Sequence, residues 1–234
     1  MCGHPLAHDE DLLRYRCPDA GDDQRYTTVE RLKKHYGESH AIVGAMPCTL
    51  FEAAWYLRGF SRFLTDLVLN KDWAHELLDK LMEFQLGTGS RLAHIGVDVI
   101  WMGDDFGTQN ALVLSPRLWR EFFKPRYADL ISAFRKIKPD VKIAYHSDGN
   151  IEPLLPEYIE IGVDVLNAVQ PRSMNPEHLK HRFGKKLAFW GTMDIQQTFP
   201  FGSPGDVADE VKHRVRTVGK SGRAYFGSVT QHST

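Results

Sequence analysis

The sequence predicts a parallel α/β fold of the (β/α)8 barrel type, with about six of the eight βα units present in this chain of 234 residues. Three observations predict it. Short apolar, β-branched runs alternate with amphipathic helical stretches along most of the chain, which is the pattern of a parallel sheet with helices outside. His94-Ile-Gly-Val-Asp-Val-Ile100 and Glu160-Ile-Gly-Val-Asp-Val-Leu166 match at five consecutive positions, each reading as a helix end, a glycine cap and a buried strand. Most of the strands finish on polar residues, as strands do where a parallel fold gathers its ligands.

The elements follow in order. Residues 1–25 are polar and rich in Asp and Gly with no sustained period, and they are expected to be a loosely ordered start. Cys2, His4 and His8 there lack a fourth ligand and are assigned no metal. Thr27 or Thr28 is expected to cap a helix through Leu32 to Tyr36, stopped by Gly37. Ala41–Ala45 is a first strand; Phe51, Ala54, Trp55 and Arg58 then fall at helical spacing, and Gly59 is a break. A long helix runs from about Asp72 to His94, and Val97–Met102 is the second strand. Ser115 caps the next helix with Pro116 at its first position, and Pro125 breaks it. Val141–His146 is a strand handing into the turn Asp148-Gly149-Asn150. Pro156–Ile161 is a short helix. Strands follow at Val163–Val169, Lys186–Trp190 and Arg223–Gly227, with a helix opened by Pro204 and Asp206 before the last. A closed barrel of about 250 residues needs eight strands, so the sheet is expected to be short of its first units and 1–234 to form one domain.

Composition narrows the function. Lys and Arg total 29 against 30 Asp and Glu, a net charge of −1, which gives nucleic acid or an anionic membrane no electrostatic purchase. A small molecule is the expected partner. Three cysteines, Cys2, Cys17 and Cys48, show no C-x-x-C spacing and suggest neither a disulfide framework nor a zinc knuckle. No apolar run is long enough to span a membrane and no apolar export segment follows Met1, so the cytoplasm is the expected location. An incomplete barrel leaves strand edges exposed, and self-association into a homo-oligomer is expected.

The candidate site is the set of strand-end residues: Asp104, Asp105 and Gln109; His146 and Asp148; Asn167 and Gln170; Asp194; Gln231 and His232. In a barrel they converge on one mouth. Carboxylates beside imidazoles hold mixed protonation states near neutral pH, as acid–base chemistry requires. His146 and Asp148 are one residue apart, so they point to the same side while the strand geometry lasts. No phosphate loop and no serine nucleophile elbow is present.

His146-Ser-Asp-Gly-Asn150, Ile161-Gly-Val-Asp-Val-Leu-Asn167 with Gln170-Pro171, Phe183-Gly-Lys-Lys-Leu187 leading to Gly191-Thr-Met-Asp194, Pro200-Phe-Gly-Ser-Pro204, and Asp104-Asp-Phe-Gly-Thr-Gln109 with Leu114-Ser-Pro116 resemble the uroporphyrinogen decarboxylase superfamily. That (β/α)8 group also includes cobamide-dependent methyltransferases. The resemblance implies decarboxylation of a porphyrinogen or similar anionic small molecule without a cofactor. Asp104, Asp105, His146 and Asp148 would be catalytic, Gln109, Gln170, Asp194 and His232 substrate-binding, and no residue metal-binding. The N-terminal arginines and early aspartate of those decarboxylases are not visible here, and after Pro47-Cys-Thr-Leu50 this chain has Ala53 where they carry tyrosine. The alternative branch implies zinc and a corrinoid partner, but its His-x-Cys stands here as His146-Ser-Asp148. A third reading is a non-catalytic barrel remnant that binds a ligand or partner.

Overall fold

The two repeated glycines set the spacing of the fold. The computed structural model describes residues 3–220 and the backbone of Ala224–Tyr225. Helix α5 (Lys71–Ile95) ends at Gly96 with φ +85°, and the amides of Gly96 and Val97 both bond back to the carbonyl of Leu92. Helix α8 (Leu155–Ile161) ends at Gly162 with φ +100°, and Val163 N donates to Tyr158 O at 2.9 Å. Both are left-handed caps that L-residues adopt only at a cost, so glycine is required there. The next strand follows each cap after a few residues: β2 (Val99–Gly103) and β4 (Val165–Asn167).

The other strands are β1 (Val43–Met46), β3 (Lys142–His146), β5 (Ala188–Trp190) and β6 (Ala224–Tyr225). Hydrogen-bonded neighbours follow chain order, β1-β2-β3-β4-β5-β6. The registers are parallel, with Val43 opposite Val99, His146 opposite Asn167, Asn167 opposite Trp190 and Trp190 opposite Tyr225. Between them lie α3 (Phe51–Arg58), α6 (Pro116–Phe122), α7 (Lys124–Ile137), α9 (Pro176–Phe183), α10 (Thr198–Phe201) and α11 (Pro204–Thr217). The strands are shorter than the sequence reading because their polar ends turn into loops.

The chain divides into two compact units, residues 1–104 with 115–143, and 105–114 with 144–234. In the first, α5 packs on α7 through Gly89, where an added Cβ would lie 2.1 Å from the ring of Phe134. Phe51, Phe63, Trp119, Phe122, Phe123 and Tyr127 fill its core without solvent exposure. In the second, the Tyr145 and Tyr158 rings stack at 4.3 Å, over a core including Leu154, Leu166, Leu179 and Phe189.

Some expectations change. The opening 25 residues are packed, with α1 (Asp11–Arg14) and buried Leu6 and Leu12. The physical reason is Arg58, whose buried guanidinium donates to Leu6 O and to the carboxylates of Asp9 and Asp66 and lies over the Trp73 ring. A buried cation needs such partners, and two of them come from this segment. Thr27 does not cap α2 (Thr27–Tyr36); it is the helix's first residue, and its hydroxyl donates to Gln24 O. A helix absent from the sequence reading, α4 (Phe60–Leu69), starts directly after Gly59 at φ +94°. By contrast, Ser115 accepts from Leu118 N as an N-cap, and Ser203 with Asp206 forms a capping box at α11.

Candidate active site

His146 is placed by the last position of β3 and is only 6% exposed. Its ring is oriented by a chain of hydrogen bonds that starts on the main chain. Asn167, opposite it in the register, donates from Nδ2 to Trp190 O at 3.0 Å. A carbonyl only accepts, so this bond settles which end of the amide is oxygen. The Asn167 Oδ1 therefore faces His146 Nδ1 at 2.9 Å, and Nδ1 carries the proton. That leaves Nε2 facing Asp105 Oδ1 at 3.7 Å and Asp148 Oδ1 at 3.8 Å.

The two carboxylates are held in turn. Asp105 Oδ1 accepts from Asp148 N at 2.7 Å, and Asp148 Oδ1 accepts from Gln170 Nε2 at 2.9 Å. Gln170 Oε1 takes Gly149 N at 2.9 Å, so one amide grips both the carboxylate and its turn. Ser147 Oγ accepts from Phe106 N at 3.0 Å. Gly107 and Gly149 meet backbone to backbone: a Cβ on Gly107 would lie 2.5 Å from Asp148 O, and Gly149 sits at φ +76°. Glycine is needed at both positions. Asn150 N completes the seam on Thr108 O at 2.8 Å.

One donor atom each from Asp105, His146 and Asp148 lies within 4.8 Å of the others, a grouping that can hold a metal ion. A neutral Nε2 lone pair aimed at two carboxylates is repulsive, so a positive charge belongs between them. Either a proton on Nε2 or a cation supplies it.

The remaining candidates divide. Gln109 donates to Arg172 O at 2.9 Å and pairs with the amide of Gln196. Asp194 is 7% exposed; Oδ1 accepts from Gln196 N and Gln197 N, and Oδ2 from Arg172 Nε at 2.8 Å. Burial pushes its pKa up, but these bonds outweigh it and hold the carboxyl below the ordinary value. Asp104 belongs to the other unit and is fully buried. Its carboxylate accepts from Leu50 N and Glu52 N at the start of α3 and from the Tyr127 hydroxyl. It caps a helix whose own N-cap residue has no side-chain bond. Burial pushes its pKa up to about 6 against those hydrogen bonds. Gln231 and His232 lie outside the described residues. The sequence reading gave no role to Arg172, whose only signal is a cation in a strand-end loop otherwise rich in carboxylates and amides.

Parallel strands with helices between them, and a polar centre built where β3 and β4 end, define a (β/α) barrel-type protein. The family model described as uroporphyrinogen decarboxylase (URO-D) matches residues 3–229, and the chain belongs to that family. It is similar in fold to a methyltransferase from Methanosarcina mazei, with a TM-score of 0.71 at 20% identity over 98% of this chain and 67% of that one. A search of curated proteins finds no match.

Proposed function

We propose that this chain is a metal-assisted group-transfer enzyme of the methyl-transfer kind, acting on a small anionic molecule, with Asp105, His146 and Asp148 as its reaction centre. One observation carries the reading: the proton on Nδ1 is assigned to Asn167, so Nε2 offers a lone pair toward two carboxylates. A metal-bound histidine is arranged in this way, its second nitrogen spoken for by a carbonyl. The donor set fits a divalent cation of the zinc or manganese class, being one imidazole and two hard carboxylates. It differs from the His-x-Cys ligand pair of the methyltransferases, since Asp148 stands in the thiolate position and Asp105 adds a third donor. A bound divalent ion would supply Lewis acidity toward the substrate's leaving or attacking atom. The chain's own residues do the rest. Asn167 fixes the imidazole, Gln170 fixes Asp148, and the Asp148 amide fixes Asp105. The methyltransferase likeness in fold is in keeping with this reading.

A second reading is favoured by the same gap between His146 and the carboxylates. With a proton on Nε2 in place of a metal, His146 is an acid flanked by two anions, suited to protonating a ring before loss of carbon dioxide. That is the decarboxylase branch, with a porphyrinogen or similar acid as substrate. Metal content separates the two. After dialysis against a weak chelator, about one equivalent of zinc or manganese in the protein, lost in His146→Ala and in Asp105→Asn, is expected. Metal-free protein that releases carbon dioxide from uroporphyrinogen would overturn the metal reading in favour of the second.

A further inference from the structure

We propose that Arg172 is the substrate's carboxylate anchor, and that Asp194 is a positioning residue acting through it; this deepens the proposed function and rests on the Asp105–His146–Asp148 centre being where the reaction occurs. Sequence pattern alone gives Asp194 the binding role. The geometry assigns it elsewhere. Both Asp194 oxygens are committed, one to two backbone amides and the other to Arg172 Nε. An anion so occupied has little left to offer a ligand.

Arg172 is in the opposite condition. Its Nε is held at 2.8 Å by a carboxylate that is itself fixed, and its carbonyl is pinned by Gln109 at 2.9 Å. The side chain is nevertheless 52% exposed, and among the described residues neither Nη nitrogen has a hydrogen-bond partner. A guanidinium tied at Nε keeps the outer edge of its planar fork for a second oxyanion, which it takes bidentately. Anchoring the first edge beforehand removes much of the rotamer entropy that an exposed arginine would lose on binding. Arg172 also stands two residues beyond Gln170, which grips Asp148 and Gly149. One short loop thus joins the anchor to the reaction centre.

Charge selects the ligand class. Asp105, Asp148 and Asp194 carry three negative charges, balanced by Arg172 and a divalent ion. A monocarboxylate adds one negative charge, whereas a phosphate monoester adds up to two, next to three fixed carboxylates. The substrate class is therefore a small monocarboxylic acid whose reacting atom reaches the His146 centre while its carboxylate lies on Arg172.

The test uses the whole chain, loaded with zinc, and four monocarboxylates of increasing size as probes: acetate, butyrate, benzoate and indole-3-acetate, each against its own amide. Affinities come from ligand-observed NMR. At least one acid is expected to bind tenfold or more tightly than its amide. Arg172→Ala should abolish that selectivity, Arg172→Lys should retain part of it, and millimolar ethylguanidinium should restore it in Arg172→Ala. Asp194→Asn should reduce the acid-to-amide ratio severalfold, a ratio that a general loss of folding would not change. Equal binding of acids and amides by the unmodified protein, no binding of any acid, or selectivity that survives Arg172→Ala would each overturn the assignment. Zinc content is read in the same samples. Loss of zinc with acid selectivity intact would count against the metal reading alone, and the reverse outcome against this one alone.

Discussion

At the scale of single residues, two aspartates adjacent in sequence have unrelated work. Asp105 faces His146, whereas Asp104 is a buried helix cap with its pKa raised to about 6 from 3.8. A folded-state pKa above the unfolded value means that this group's contribution to stability is fully present below about pH 4 and is lost as pH rises through about 6. The loss is on the order of 3 kcal/mol, from about two units at 1.36 kcal/mol each. Asp104→Asn is expected to flatten the fall in denaturation midpoint between pH 4 and 6, while adding a constant cost for the amide contact it forfeits; urea melts across that range check it. Asn167 gives a second prediction. Asn167→Leu frees the imidazole to choose its tautomer, and affinity for zinc should drop 10–100-fold, measured by calorimetry against a His146→Ala control. The aspartates show the limit of the sequence. Adjacent carboxylates at a strand end read alike until three-dimensional partners separate them, and Tyr127 and Leu50 are far from Asp104 along the chain.

Among the elements, what was legible followed local rules. The caps at Ser115 and Ser203, the breaks at Gly59, Gly96 and Gly162, and the parallel strands each depend on residues within one turn of one another. What was missed depends on long-range partners: α4 behind its glycine, the packing of residues 3–25, and the meeting of the loop after β2 with the turn after β3. That seam yields a prediction of its own. Gly107→Ala places a methyl group 2.5 Å from Asp148 O, where backbone must yield. A destabilisation of about 1–3 kcal/mol is expected, with weaker metal binding because both Asp105 and Asp148 move. A denaturant melt and a zinc titration on the same variant would check both; a neutral result in both would mean the seam does not set the centre.

At the scale of the whole molecule, Val43 on β1 is 40% exposed, and Leu69 and Phe201 are about four-fifths exposed at 80% and 77%. Apolar surface of this kind is expected to drive self-association. Light scattering after size exclusion should give a mass above one chain at micromolar concentration, and a sharp monomer peak would oppose it. Among the described residues no helix is long and apolar enough to cross a membrane. The buried Arg58 has a practical consequence. Because Leu6 O and the Asp9 carboxylate are two of its partners, a chain cut after Asp9 would strand a guanidinium in the interior, at a cost of about 3–5 kcal/mol. Whoever shortens this gene for crystallisation, or splices a reporter onto its front, has only the few residues ahead of Leu6 to spend, although composition makes the first 25 look disposable.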